Sequence, residues 1–138
     1  MWPINIIGFM DSIRGKKGSM KHYKNKLLHF KEQEAETHID IGVIYLEDEN
    51  PEKALKHFYE ALKMYKNLHS IEGEAFVHNL LGDLYISMRN PSKAIMHYQD
   101  SFKLYASMKS PLKNELFSKI KDTEKAEEVI EILKNKEE

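Results

Sequence analysis

Apolar residues recur at helical spacing along most of the chain, and the pattern of residues 34–70 returns in residues 74–110. The two stretches superimpose at an offset of 40 residues. Thirteen positions are identical: Glu34/Glu74, Ala35/Ala75, His38/His78, Gly42/Gly82, Tyr45/Tyr85, Asn50/Asn90, Pro51/Pro91, Lys53/Lys93, Ala54/Ala94, His57/His97, Lys63/Lys103, Tyr65/Tyr105 and Ser70/Ser110. Unrelated helices would not share so many residues, so the chain contains one structural unit at least twice.

Each copy is predicted to be a pair of antiparallel helices. Gly42 and Gly82 interrupt apolar runs. Glycine destabilises a helix by roughly 1 kcal/mol, so its presence at both positions indicates a compensating role, which we expect to be the close approach of two helices. Asn50-Pro51 and Asn90-Pro91 place an N-cap side chain before a proline at the first helical position. A second helix therefore begins at the same place in both copies.

The order of residues within each copy is bulky-x2-aliphatic-Gly-x2-Tyr, followed by Ala-x3-aromatic. The residues are His38, Ile41, Gly42, Tyr45, Ala54 and Phe58, and again His78, Leu81, Gly82, Tyr85, Ala94 and Tyr98. This resembles the tetratricopeptide repeat, and the spacing of 40 residues resembles its longer-repeat members. The resemblance implies an all-α, right-handed α-solenoid that acts as a non-catalytic adaptor or scaffold for a partner protein or peptide.

The repeat extends to both ends in degenerate form, which predicts a single domain over residues 1–138 with about four helical hairpins and eight helices. The clear repeats cover residues 34–68 and 72–108, a degenerate hairpin covers 4–32, and a shortened capping hairpin covers 111–136. No Gly or Pro occurs from Lys31 to Ile41, so residues 19–48 could form one helix or two. The repeat favours a turn near Glu32.

The resemblance also implies a concave groove lined by the first helix of each hairpin, where a partner peptide or helix binds. Aliphatic residues and acids alternate there, so a basic and apolar partner is expected, and Lys or Arg residues that would clamp a C-terminal carboxylate are missing. The predicted groove residues are Glu36, Ile39, Asp40, Val43, Glu47, Phe76, Asn79, Asp83 and Ile86.

Charge is unevenly distributed near the N-terminus. Residues 12–31 contain seven Lys or Arg and no acid, whereas residues 32–50 contain seven acids and no Lys or Arg. Pairing of these segments between antiparallel helices is one interpretation. Two others are self-association, as a homo-oligomer in which a basic front meets an acidic face, and binding of a membrane or RNA. The basic patch is Arg14, Lys16, Lys17, Lys21 and Lys24.

Composition excludes several other classes of function. The chain has no cysteine, which excludes disulfides and thiolate chemistry, and its net charge of −1 gives no general attraction to nucleic acid or membrane. It has no nucleophile-base arrangement and no glycine-rich phosphate loop. We therefore expect no enzymatic activity, no cofactor and no small-molecule substrate, and the cytoplasm as the location.

The seven histidines suggest a metal site only superficially. His22, His57 and His97 occupy equivalent positions in successive hairpins, and equivalent helices are separated by at least 8 to 10 Å. Zinc requires its nitrogen ligands at about 2.0 to 2.1 Å. His38 and His78 stand in the place of the signature tryptophan and are expected between helices. No metal site is predicted.

Overall fold

The computed structural model describes residues 17–137 and contains five α-helices over that range. They are α1 (Lys17–Glu47), α2 (Pro51–Asn67), α3 (Ile71–Ser87), α4 (Pro91–Ser107) and α5 (Leu112–Glu137). Each helix packs against the helices before and after it in the chain. This is the all-α helical-repeat solenoid that the sequence predicts.

The turns between helices follow one pattern because the sequence repeats its capping residues. Asn50 and Asn90 accept hydrogen bonds from the backbone N–H of Lys53 and Lys93, at 3.3 and 3.2 Å. Ser70 caps α3 in the same way, accepting from the Gly73 N–H at 3.3 Å. Each side chain satisfies one of the free N–H groups of the first helical turn.

Each of the four turns between successive helices contains one residue with a left-handed backbone. Glu49, His69, Arg89 and Lys109 have φ values of 56°, 54°, 55° and 54°, and none of them is glycine. The following N–H groups bond back to carbonyls of the last helical turn, as from Asn90 to Tyr85 at 2.9 Å. A side chain therefore stands at four turns where glycine would be less strained.

We expect Arg89→Gly to raise the free energy of unfolding by roughly 0.5 to 1 kcal/mol. Relief of the left-handed penalty, about 1 to 2 kcal/mol, exceeds the entropy that glycine adds to the unfolded chain. Urea unfolding followed by circular dichroism measures the change. Arg89→Ala is the control, because it removes the side chain and keeps the Cβ; an equal gain in that variant would contradict the backbone explanation.

Small residues determine how closely the helices approach, as predicted. Each of the two glycines lies against an aromatic ring of the facing helix. A Cβ atom on Gly42 would lie 2.5 Å from the Phe58 ring, and one on Gly82 would lie 2.3 Å from the Tyr98 ring. Ala54 and Ala94 are fully buried in the same apolar clusters as these rings. The apolar core forms two clusters, one among α1, α2 and α3 and the other among α3, α4 and α5.

The predicted terminal hairpins differ from what the structure shows. The expected turn near Glu32 is wrong, since residues 17–47 form one continuous helix. The predicted capping hairpin of residues 111–136 is also wrong, since residues 112–137 form one helix. Neither segment contains an internal proline, and the two glycines of α1, Gly18 and Gly42, lie well away from the predicted turn at Glu32, so the intrahelical hydrogen bonds continue without a break. The apolar segment of residues 4–13 lies outside the described residues.

Because α1 is continuous, its basic and acidic segments follow each other along one axis. They cannot pair side by side as antiparallel helices of one hairpin, which was one interpretation of the charge pattern. Residues 20–34 are all exposed, and Ala35 is the first buried residue after them. Lys31, Glu32 and Glu34 line cavities together with residues of α2 and α3. The exposed residues 20–30 before them span about 16 Å of helix. None of the helices in residues 17–137 has the length and apolar character that crossing a membrane requires.

Candidate functional site

An open cavity of about 670 Å³ lies on the side of the solenoid formed by the first helices of the repeats. Its walls come from α1 and α3, with contributions from the ends of α2, α4 and α5. The lining residues are Glu32, Glu36, Ile39, Asp40, Tyr65, Ser70, Glu72, Gly73, Phe76, Tyr105 and Leu112. We call this cavity the groove.

Helical spacing explains which residues reach the groove. Glu32, Glu36 and Asp40 are four residues apart, so they project from one face of α1. Glu72 and Phe76 have the same relation on α3. Both rows border the same groove.

The groove has a negative electrostatic field. Four of its lining residues are carboxylates, and none is Lys or Arg. Burial raises the pKa of the Tyr65 hydroxyl, and the nearby charges of Glu36 and Glu32 raise it further. Burial likewise raises the pKa of Tyr105, with a contribution from Glu72. Both tyrosines therefore remain neutral hydrogen-bonding groups in the groove at physiological pH.

Apolar surface accompanies these charges. Phe76 and Leu112 are 44% and 45% exposed, which is high for large apolar side chains. Ile39 is 8% exposed and belongs to the core beneath the groove. An acidic groove with an exposed aromatic side chain is suited to a ligand that carries both positive charge and apolar groups.

The structure brings together four of the predicted groove residues and separates the others. Glu36, Ile39, Asp40 and Phe76 line the groove. The remaining five do not line it: Val43, Glu47, Asn79, Asp83 and Ile86. Of these five, Val43, Glu47, Asp83 and Ile86 are exposed, and Asn79 is half-buried.

Asn79 and Asp83 are already bonded to α5. The Lys119 ammonium donates to Asn79 Oδ1 at 2.8 Å and to the two Asp83 carboxylate oxygens at 3.0 and 3.1 Å. The Tyr98 hydroxyl also donates to Asp83, at 2.6 Å. The charge of Asp83 is therefore matched within the chain, and this part of the first-helix face holds α5 in place.

Several residues of the groove were not predicted as site residues. Glu32 and Glu72 occupy equivalent positions 40 residues apart, just before the stretch used to align the repeats. Tyr65 and Tyr105 are among the thirteen identical pairs, although no role was assigned to them. An alignment that begins two residues earlier includes Glu32 and Glu72. The repeated tyrosine near the end of each second helix is the sequence signal for Tyr65 and Tyr105.

The predicted basic patch lies partly on α1. Lys21 and Lys24 are exposed on its first half, and Lys17 is its first residue; Arg14 and Lys16 lie outside the described residues. The same half exposes Met20, Tyr23, Leu27, Leu28 and Phe30, each between 48% and 60%. We call residues 17–31 the basic arm.

Two histidine pairs lie between the helices of the hairpins. His38 Nδ1 is 3.0 Å from His57 Nδ1, and His78 Nδ1 is 3.0 Å from His97 Nδ1. Burial lowers the pKa of His78 to about 4, and burial lowers the pKa of His97 too. Each of these two imidazoles is therefore neutral at pH 7, and in a neutral pair one Nδ1 donates while the other accepts. The prediction that His78 is wedged between helices is confirmed, since it is 6% exposed.

A family model described as "Tetratricopeptide repeat" matches residues 33–107, which cover the first clear repeat, the second up to its last residue, and the groove residues from Glu36 to Tyr105. Comparisons with curated proteins and with solved structures gave no match.

Proposed function

The chain belongs to the tetratricopeptide repeat family, whose repeats generally mediate protein–protein interaction, and we propose that it is a non-catalytic adaptor whose groove binds a basic amphipathic helix or peptide of a partner protein. One observation carries the proposal: four carboxylates and the exposed Phe76 line a single open cavity that contains no lysine or arginine.

The chemistry of the groove favours this type of ligand over others. A basic segment offers charge to Glu32, Glu36, Asp40 and Glu72, which increases the rate of association and selects against acidic segments. An apolar residue of the same segment can contact Phe76 and Leu112. This is the helix-in-groove mode, in which anchors recur at intervals of three or four residues.

The test is binding of a synthetic basic amphipathic peptide of Lys, Leu and Phe, labelled with a fluorophore, to the full chain. We expect Glu36→Lys with Asp40→Lys to weaken binding about tenfold, because two attractive charges become repulsive. Fluorescence anisotropy at low and moderate salt measures the affinity.

The matched control is Glu128→Lys with Glu131→Lys, which changes the net charge equally at exposed sites that do not line the groove. Its affinity for the peptide should remain near that of the unmodified chain. Equal weakening in both variants would show a general charge effect and reject the groove. A matched peptide with Glu in place of Lys should not bind.

A second candidate function is self-association, in which the groove of one copy binds the basic arm of another. The specific observation is that the basic arm, like the proposed ligand, is a helix that combines positive charge with exposed apolar side chains. It carries Lys17, Lys21, Lys24, Lys26 and Lys31 with no acid, and it exposes five large apolar side chains. Because the arm and one wall of the groove lie on the same helix, α1, two copies can exchange them reciprocally about a two-fold axis.

A further inference from the structure

His78, His97 and Asp100 form a compact cluster of metal-ligating groups on the side of the second hairpin. His78 comes from α3, and His97 and Asp100 lie three residues apart on α4. One ligand atom from each residue lies within 4.8 Å of the other two. Within residues 17–137, no other trio of His, Cys, Asp or Glu meets that distance.

The distance between the two imidazoles suits a shared ion. Two nitrogens that lie about 2.0 to 2.1 Å from one metal and 3.0 Å from each other subtend an angle of about 91 to 97° at the metal. That angle is close to those of octahedral and square-planar coordination, and a distorted tetrahedron can accommodate it. The repacking that would be needed to bring histidines of successive hairpins together is not needed within one hairpin.

The second ring nitrogen of His97, Nε2, lies within hydrogen-bond distance of a tyrosine hydroxyl. Its Nε2 lies 3.1 Å from the Tyr59 hydroxyl, which in turn lies 3.1 Å from the Tyr85 hydroxyl. The Tyr85 ring stacks on the imidazole, with centroids 5.4 Å apart. Metal-binding histidines commonly bond through their other ring nitrogen, because this fixes the tautomer and the ring plane. Here it leaves Nδ1 directed at His78.

We propose that His78 Nδ1, His97 Nδ1 and the Asp100 carboxylate bind a divalent cation that accepts nitrogen and oxygen ligands, such as Zn²⁺, with solvent completing the coordination. A cavity of about 270 Å³ beside the cluster gives an ion access. It is lined by Lys66, Glu74, His78, Asp100, Lys103 and Leu104. Lys66 and Lys103 repel a cation, while Glu74, whose carboxylate is 4.0 Å from the Lys66 ammonium, offsets part of this repulsion.

The first hairpin provides a control within the same chain. Its His38 and His57 have the same Nδ1 separation of 3.0 Å, and Glu60 occupies the position equivalent to Asp100. Glu60 does not complete a trio with the two histidines. The proposed site therefore belongs to the second hairpin alone.

The experiment is calorimetric titration of the full chain with ZnCl₂, together with long-range ¹H–¹⁵N spectra of the imidazoles. We expect one ion per chain at this site, with the Nδ1 resonances of His78 and His97 shifting on binding. Asp100→Asn changes an exposed side chain and should preserve helical content. It and His97→Gln should each weaken binding about tenfold or more, whereas His57→Gln should leave the affinity unchanged.

Three results would overturn the proposal. They are the absence of Zn²⁺ binding in the unmodified chain, binding that Asp100→Asn and His97→Gln leave unaltered, and equal weakening by His57→Gln. The second result would assign any bound ion to exposed histidines such as His22, His29 or His69. Circular dichroism of each variant without metal shows whether a loss of binding reflects a loss of fold.

Discussion

Gly82→Val is expected to lower the free energy of unfolding by about 3 kcal/mol, the upper part of the usual range for overpacking a well-packed core. The new Cβ would lie 2.3 and 2.4 Å from two atoms of the Tyr98 ring. The ring cannot move away freely, because its hydroxyl donates to Asp83 at 2.6 Å and Tyr98 is 3% exposed. The helices α3 and α4 must therefore separate, which disturbs the core on both sides.

Urea unfolding measures this loss, and two further variants identify its cause. Lys63→Val places the same side chain at an exposed helical position, where only helix propensity changes, and should cost less than about 1 kcal/mol. Combining Gly82→Val with Tyr98→Leu makes room for the valine. The double variant should then be more stable than the sum of the single changes predicts, by more than about 1 kcal/mol. Strict additivity would disprove the steric explanation.

This contact shows why the centre of the fold could be predicted from sequence. The pairs Gly42/Gly82 and Asn50/Asn90 each carry a local physical meaning: close approach of helices, or a helix start. The turns, caps and buried aromatics of the two central hairpins follow from such residues. The structure places the Phe58 and Tyr98 rings directly against Gly42 and Gly82, and the distance of that contact is not contained in the repeat spacing, because the spacing does not specify side-chain conformation across a helix interface.

The ends could not be predicted in the same way. A repeat offset shows where a turn would be if the hairpin were copied, but a turn also needs residues that stop a helix. Residues 31–41 contain none, so α1 continues through the predicted turn at Glu32. The same applies to α5 after Pro111. Identity at equivalent positions therefore fixed the fold only where the capping residues repeat as well.

The site was predicted in part for a related reason. Residues on one helix face, such as Glu36 and Asp40, could be placed by spacing alone. The neutralisation of Asp83 depends on Lys119, which is 36 residues further along the chain. The pairing of His78 with His97 likewise depends on how α3 and α4 cross. Contacts between residues that are distant in the sequence decide which side chains of a helix face remain free to bind a ligand. The periodicity of the sequence does not specify these contacts.

The length of α1 connects the fold to the second candidate function. On the basic arm, Met20, Tyr23, Leu27 and Phe30 follow the alternating three- and four-residue spacing of a coiled-coil seam, and Lys24 and Lys26 flank it. In an antiparallel pair of α1 helices from two copies, the arm of each copy lies beside the acidic half of the other. The apolar seam of each arm is then buried against the partner copy, and the basic segment of each copy lies next to the acidic segment of the other. Both effects stabilise the pair.

Reversing charge on either side of this pair is expected to weaken self-association about a hundredfold, and reversing both sides in one chain should restore it. The arm variant is Lys24→Glu with Lys26→Glu, and the groove variant is Glu36→Lys with Asp40→Lys. Each single-sided variant juxtaposes like charges at two symmetry-related places, so its cost is doubled in the dimer. Sedimentation equilibrium over a range of concentrations measures the dissociation constant.

The fourfold variant distinguishes this arrangement from the simpler explanations. It has the net charge of the unmodified chain and complementary charges in the opposite sense, so recovery of the dimer requires that arm and groove touch. If the unmodified chain remains monomeric at millimolar concentration, the arm does not bind a second copy, and the groove remains open to a different basic partner. If the unmodified chain dimerises but the fourfold variant does not, the copies associate through another surface. Because the peptide titration uses a foreign ligand and the groove variant alone, it can succeed or fail independently of this result.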